Sequence, residues 1–215
     1  KLSEDIEVIG FMGNIGTGRN YIAENIFLPK LVNKPTLVMA FADHFKINSI
    51  CFSNLEFDKV FIKKDTTTRK KLQEIGTEMG RNKYGDNIWI DIVYNWMKVY
   101  SNRGIKRFII TDVRFENEVK FIKELNGIVI KINAPDRNLY KLIQESDGDV
   151  SILNLLSNHS SETYIKNFTD YDYIINNTIG YNYDDDNINE ARYTQFKYNT
   201  NEIISKQFLF NNTLN

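Results

Sequence analysis

The chain has 215 residues, 42% hydrophobic and 26% charged, with a net charge of −1; this suits a globular domain with a full core and supplies no bulk attraction to nucleic acid or an anionic membrane. Its single cysteine, Cys51, excludes an internal disulfide and fits a reducing compartment, so a cytoplasmic setting is expected. No apolar run approaches the roughly 20 residues of a membrane-spanning helix, and the opening KLSEDIEVIG lacks the apolar stretch of a signal peptide.

The apolar, β-branched run IEVIGFM (6–12) reads as a buried strand. It leads into GNIGTGRN (13–20). Gly13 and Gly18 keep the spacing of the phosphate-binding pattern G-x-x-x-x-G-K-[ST], with Arg19 in the lysine position and Asn20 in the hydroxyl position. Glycines let backbone N–H groups converge on an anion with no Cβ in the way, and the start of a helix adds partial positive charge. Arg19 keeps the cation as a planar fork instead of a point charge. Asn20 offers a carbonyl oxygen where Mg²⁺ would meet a hydroxyl. A glycine turn that binds nothing is the competing reading of this stretch alone. The helix that follows, over RNYIAENIFLPKLV, has apolar residues at 22, 23, 26, 27 and 31 and is expected to kink or stop at Pro29.

TLVMAFA (36–42) reads as a second buried strand, and FADHFKINSICF leads into a short helix in which Cys51 is expected to be buried beside Phe52. TTTRKKLQEIGTEMGRNKYG (66–85) is helical through its middle, capped by Thr66, Thr67 or Thr68 and ended by Gly80 or Gly85. DNIWIDIVYNWMKVYSNRG (86–104) has the clearest helical period, with apolar residues at 88, 89, 92, 93, 96, 97 and 100, Asp86 as cap and Gly104 as stop. Arg69, Arg81 and Trp89 suit a nucleoside monophosphate, guanidinium on phosphate and ring on base. Taken alone the signal is weak: arginines on helices are more often solvated, and an indole on an apolar stripe belongs more often to the core.

RFIIT (107–111) is a third strand that delivers Asp112 to its C-terminal end, the ligand-binding edge of open α/β sheets. A carboxylate there can hold Mg²⁺ directly or through water; it can equally cap the helix over ENEVKFIKELNG. Arg114, two residues on, can fork onto a phosphate or carboxylate. GIVIKIN (127–133) is a fourth strand, NLYKLIQES (138–146) a helix and DYIINNT (172–178) a fifth strand. SNHSSE (157–162) sets a histidine and Glu162 near hydroxyls. With no G-x-S-x-G turn and only His44 besides, neither a hydrolytic triad nor a zinc site is expected. From 180 onward the chain is polar and partly acidic, and reads as an appendage or a loosely ordered arm. Strands alternating with helices predict an α/β fold with a parallel sheet covered on both faces.

In order along the chain, GNIGTGRN, FADHFK, RKKLQEIGTEMGR with the tryptophan of DNIW, TDVRFENE, HSSE and DYIINNT resemble the motifs of the deoxynucleoside monophosphate kinases of phages and large DNA viruses. These are P-loop kinases that also resemble animal phosphomevalonate kinase, and the match covers residues 8 to about 178. The resemblance implies a three-layer sandwich with a mostly parallel five-stranded sheet. It implies transfer of the γ-phosphoryl group of ATP, with Mg²⁺, to a deoxynucleoside 5′-monophosphate, feeding DNA precursor synthesis. ATP would lie against Gly13, Asn14, Gly16, Thr17, Gly18, Arg19 and Asn20, and the monophosphate against Asp43, Lys46, Arg69, Arg81 and Trp89. Arg19, Asp112 and Arg114 would form the catalytic edge, Asp112 also meeting the metal. Arg137 would belong to a mobile lid, and Glu162 matches a motif residue with no assigned role.

A kinase domain is thus expected over 1–179, with monophosphate-binding helices at about 43–104, a lid at about 134–162 and an extension at 180–215. Its partners would be nucleotides and a second copy in a homodimer, without nucleic acid or membrane, in the host cytoplasm if the source is viral. The family's loop carries lysine followed by Ser, Thr or Asp, and Arg19 and Asn20 depart from it. Two further readings follow: a nucleotide-binding protein with weakened catalysis, and a P-loop kinase for another phosphorylated small molecule such as phosphomevalonate. Phosphoryl transfer asks for two anions aligned, neutralised and shielded from water, which accounts for glycines, arginines and one strand-end aspartate without a protein nucleophile.

Overall fold

Five short apolar runs form the strands β1 (Glu7–Met12), β2 (Thr36–Met39), β3 (Arg107–Val113), β4 (Ile128–Asn133) and β5 (Tyr173–Asn176). They lie in the order β2-β3-β1-β4-β5, and every neighbouring pair is parallel. The computed structural model describes residues 2–62, 65–178 and 186–209. The helices, in chain order, are α1 (Arg19–Ile22), α2 (Asp43–Ser53), α3 (Thr66–Gly76), α4 (Asn82–Tyr84), α5 (Ile88–Ser101), α6 (Glu116–Glu124), α7 (Pro135–Ser146), α8 (Val150–Ser157), α9 (Ser160–Asn167) and α10 (Asp186–Ile204). None of the described helices is long and apolar enough to cross a membrane.

Successive strand residues point to opposite faces of the sheet, so β1 to β4 each feed two cores, while the edge strand β5 feeds one. Val8, Met12, Phe108, Ile110 and Val129 pack with Trp89, Ile90, Val93 and Met97 of α5 and Val119 and Ile122 of α6. Ile9, Phe11, Ile109, Ile130, Ile132 and Ile175 face the other way, onto Ile22, Ala23, Phe27 and Leu31. The second core is completed by Phe196, Ile203, Ile204 and Phe208, all from the tail. Of the two readings of the tail, the loosely ordered arm does not hold over residues 186–209, which form α10 and a π-helical turn, Ser205–Leu209, that cover the sheet. Their apolar spacing of 196, 203, 204 and 208 is helical, and it hides among Asn and Tyr residues. Residues 180–185 and 210–215 of the expected extension lie outside the described residues.

The helical run after β1 changes pitch twice. It is α over Arg19–Ile22, π over Ala23–Phe27 and 3-10 over Leu28–Lys30, with Pro29 in the final turn, as its missing N–H requires. Two caps differ from expectation. Asp65, not a threonine, caps α3, its carboxylate accepting the Thr68 N–H at 2.7 Å. α5 begins after Asn87 with no side-chain cap, so Asp86 does not serve there. Cys51 is exposed and Phe52 is 85% exposed, against the expected burial. Of α2 only Ser49 is buried, because the helix rides on the edge of the molecule rather than across the sheet.

Candidate active site

The C-terminal ends of β1, β2 and β3 open on one cleft of about 1040 Å³, bordered by Ile15 and Arg19, Ala40–Ala42, Asp112 and Arg114, and Lys141 and Glu145 of α7. This is the edge of a parallel sheet where ligands bind, and β1 sits where the strand order reverses.

The loop after β1 holds an open arc. Gly16 and Gly18 take left-handed φ values of 79° and 89°, which L side chains rarely adopt. A Cβ on Gly16 would lie 2.5 Å from Lys141 Cβ, and one on Gly18 2.7 Å from Asn177 Nδ2. The loop's carbonyls are tied down from outside. Asn138 Nδ2 donates to Ile15 O and Asn177 Nδ2 to Thr17 O, each at 2.8 Å, while Thr17 Oγ1 donates to Asn14 O at 2.9 Å. Glu162, buried in α9, accepts from Asn14 Nδ2 at 2.8 Å and from the Ile15 N–H at 3.1 Å. No acceptor among the described residues takes the N–H of Gly16, Gly18, Arg19 or Asn20. That run of amides is the one a polyphosphate needs. Asn20 borders the cleft from an exposed position, and Gly13 is buried against Thr17 and Ile132.

Arg19 reaches into the cleft with Nη1 buried and without a hydrogen-bond partner among the described residues. Burial, then the neighbouring Arg114, pull its pKa down to about 10, against Asp112, Glu162 and Glu118. It remains a cation at neutral pH. A buried guanidinium N–H with nothing to bond is costly unless an anion completes it.

Asp112 owes its placement to a β-bulge. Gly10 pairs with Ile110 but Met12 with Val113, so β3 carries an extra residue at Thr111–Asp112. The Asp112 carboxylate accepts the N–H of Phe41 at 2.7 Å and of Ala42 at 3.0 Å, clamping the wall of the cleft after β2. It is not the cap of α6. That work falls to Glu118, whose Oε2 accepts the N–H of Arg114 at 2.7 Å and of Phe115 at 3.1 Å. Glu118 Oε1 takes Arg81 Nη2 at 2.7 Å, and the Arg81 guanidinium lies over the Phe115 ring, 3.9 Å from its centre.

The remaining expected residues divide. Lys46, Arg69, Arg81, Arg114 and Trp89 border the cleft. Trp89 is also core: its indole N–H donates to Gly76 O at 2.8 Å and its ring meets Phe45 at 5.0 Å. Asp43 is not on the cleft wall; it accepts the Ala40 N–H at 2.8 Å and pairs with Lys46 at 3.3 Å. Arg137 also stands off the wall, its Nη2 3.9 Å from where a Gly18 Cβ would be. The expected lid segment is three helices, α7, α8 and the start of α9. It is seated on the loop through Asn138 and Lys141 and clasped to α3 by Arg69–Glu145 at 2.6 Å. Sequence reasoning missed Lys141, Glu145, Phe115, His159 and Glu118 on this wall. Glu118 lay inside a quoted motif, but its use depends on Arg81, 37 residues away in sequence.

Burial, then Asp112, push the Glu118 carboxyl up from 4.5 to about 7, against the Arg114 N–H and Arg81. Between those values the folded chain keeps a proton that the unfolded chain has lost, so stability should fall as pH rises through that window and level off above it. The slope has a ceiling of about 1.4 kcal/mol per pH unit. Asp65 and Asp149, whose pKa values hydrogen bonds lower, act with the opposite sign, below the ordinary carboxylate value. Urea titrations at a series of pH values should show the slope in wild type and its loss in Glu118→Gln; an unchanged slope in the variant would refute the assignment.

Among the described residues no group of three or more His, Cys, Asp or Glu side chains forms a ready metal site. The family model for deoxynucleotide monophosphate kinase matches residues 19–167. A protein of Acanthamoeba polyphaga mimivirus, named as a candidate deoxynucleotide monophosphate kinase, is 32% identical over 120 residues, or 52% of this chain and 53% of the relative. The chain thus spans about half the length of the curated relative it matches. Among solved structures, TT1252 from Thermus thermophilus superposes with a TM-score of 0.50 at 14% identity, over 94% of this chain and 98% of that one. Dephospho-CoA kinase from Campylobacter jejuni gives a TM-score of 0.48 at 16% identity, over 96% and 100%.

Proposed function

We propose, since this chain belongs to the deoxynucleotide monophosphate kinase family, that it transfers the γ-phosphoryl group of ATP to a deoxynucleoside 5′-monophosphate. The observation that carries this is the buried Arg19 Nη1 without a partner among the described residues, beside a loop whose next amides are also unclaimed. ATP phosphates would lie on the N–H groups of Gly16, Gly18, Arg19 and Asn20, with Arg19 following the charge as it moves. The acceptor phosphate would sit between Arg69, Arg81 and Arg114, and its base toward Phe45 and Trp89.

Mg²⁺ fits as an ion carried by the nucleotide. Asp112 retains lone pairs beyond the two N–H groups it accepts, and with Asn20 would hold the ion's hydration shell. The ion would neutralise phosphate charge as the transition state develops. The acceptor oxygen is already a nucleophile, so this chain's residues align and shield. α7, seated over the loop, keeps water from competing.

A coupled ADP-release assay with the four common deoxynucleoside monophosphates, and phosphomevalonate as control, tests the proposal. At least one deoxynucleotide should stimulate ADP release. Stimulation by phosphomevalonate alone would overturn the substrate class.

One observation favours a second reading, a nucleotide-binding protein with weakened catalysis: a protein carboxylate, Glu162, already holds the Ile15 amide of the loop. The double variant Arg19→Lys/Asn20→Thr separates the two. An enzyme fitted to Arg19, packed as it is among Arg114, Asp112 and Glu162, should lose activity by about tenfold or more. A protein with a disabled loop should gain.

A further inference from the structure

We propose that Glu118 is the positioning residue that sets the Arg81 guanidinium for the acceptor phosphate; the inference rests on the kinase reading above. Glu118 is 2% exposed on α6, and its two oxygens serve two parts of the site. Oε2 fixes the backbone of Arg114 and Phe115 at the tip of β3, by bonds of 2.7 and 3.1 Å. Oε1 reaches across to Arg81 Nη2 at 2.7 Å. One rigid carboxylate therefore registers the arginine at the end of the π-helical turn Thr77–Arg81 against the catalytic edge of the sheet.

Arg81 by itself is a long side chain with several rotamers. Its conformation here is set from two sides, by the charge-assisted bond to Glu118 and by the Phe115 ring beneath it. Both supports come from the same short stretch, Phe115 to Glu118. Nε and Nη1 of Arg81 take no acceptor among the described residues, and the residue borders the cleft. A guanidinium so held presents a fixed fork, the geometry that recognises a phosphate in two-pronged fashion.

A purely structural account of Glu118 makes a different demand. Capping α6 and accepting two N–H groups needs an oxygen, which a glutamine supplies. What the carboxylate adds is charge toward Arg81. Burying that charge opposes its ionisation, and the neighbouring Asp112 on β3 adds to the opposition; Arg81 and the N–H groups of Arg114 and Phe115 counter them only in part. Arg19 on α1 and Tyr164 on α9 also feel it.

Steady-state kinetics on the full chain decide the matter, with the deoxynucleoside monophosphate that wild type uses and with ATP varied separately. Glu118→Gln should raise the acceptor KM roughly tenfold or more while the ATP KM stays within about twofold. Arg81→Ala should raise the acceptor KM at least as far, and Glu118→Gln should add nothing in that background, since two residues acting through one group are not additive. Should Glu118→Gln fail to fold, Phe115→Leu removes the ring beneath Arg81 and leaves the carboxylate, and the acceptor KM should still rise several-fold. An equal rise in both KM values, full additivity with Arg81→Ala, or an unchanged acceptor KM in Phe115→Leu would overturn the positioning role and leave the kinase reading intact. A wild type that phosphorylates no deoxynucleoside monophosphate would overturn both.

Discussion

Arg19→Ala is expected to lower the rate of ADP formation by roughly 10²–10³-fold at saturating acceptor, the usual cost of losing one preorganised donor to the charge of a transition state. Three facts converge on this residue. It occupies the position where the loop pattern has lysine. It is buried in the cleft with Nη1 unclaimed among the described residues. And it lies among the charges of Arg114, Asp112, Glu162 and Glu118, all of which act on it. Removing a cation whose burial is only partly compensated should leave the thermal midpoint close to that of wild type, so the loss would be of chemistry and not of fold. The coupled ADP-release assay, read beside a thermal melt, checks both halves. A variant that keeps its rate would mean the phosphates do not meet Arg19.

The second large effect is on stability and lies at the other end of the sheet. Arg107→Ala should cost about 3–5 kcal/mol, the range found when one partner of a buried ion pair is removed. Arg107 is fully buried at the start of β3. Its Nε donates to Glu7 Oε2 at 2.6 Å, Nη1 to Leu31 O at 3.0 Å, and Nη1 and Nη2 both to Asn33 Oδ1 at 3.1 Å. The Phe208 ring of the tail stands 5.5 Å from the guanidinium. One side chain thus joins β1, β3, the end of the first helical run and the tail. Alanine leaves the Leu31 carbonyl and the Asn33 oxygen without a donor among the described residues. Urea unfolding should show a large fall in midpoint. The acceptor and ATP KM values, measured well below the unfolding temperature, should hold, because this cluster sits at the strand ends opposite the cleft. An unchanged midpoint would show that the network is ornamental.

The contrast between Arg107 and Arg19 marks where sequence reading stops. Local pattern is enough for β1, β3 and β4, whose apolar runs allow little else, and for the loop, whose glycines announce left-handed turns. It is enough to bring Asp112 and Arg114 to the strand end that borders the cleft, whereas Arg69 and Arg81 are placed there only by the family resemblance, since arginines on helices are otherwise solvated. It does not distinguish Arg107, which heads an apolar run just as an exposed arginine would; only the approach of Glu7 and Asn33 makes it internal. Glu118 is of the same kind: its bonds to Arg114 and Phe115 are local, but its partner Arg81, 37 residues away in sequence, is brought to it only by packing. The tail defeated a composition argument, since the four apolar residues that close the second core are diluted by polar ones on the solvent face. Cys51 and Phe52 defeated the opposite assumption, that an apolar pair belongs inside.

The central claim is that a polyphosphate bridges the glycine loop and the arginines of the facing wall. The most direct measurement is a crystal structure with an adenosine–deoxynucleoside polyphosphate, which carries donor and acceptor in one molecule. The account predicts phosphates on the amides of Gly16, Gly18, Arg19 and Asn20, Arg19 Nη1 bonded to them, and the deoxynucleoside end between Arg81 and Trp89. A ligand lodged elsewhere, with Arg19 Nη1 still unpaired, would contradict it.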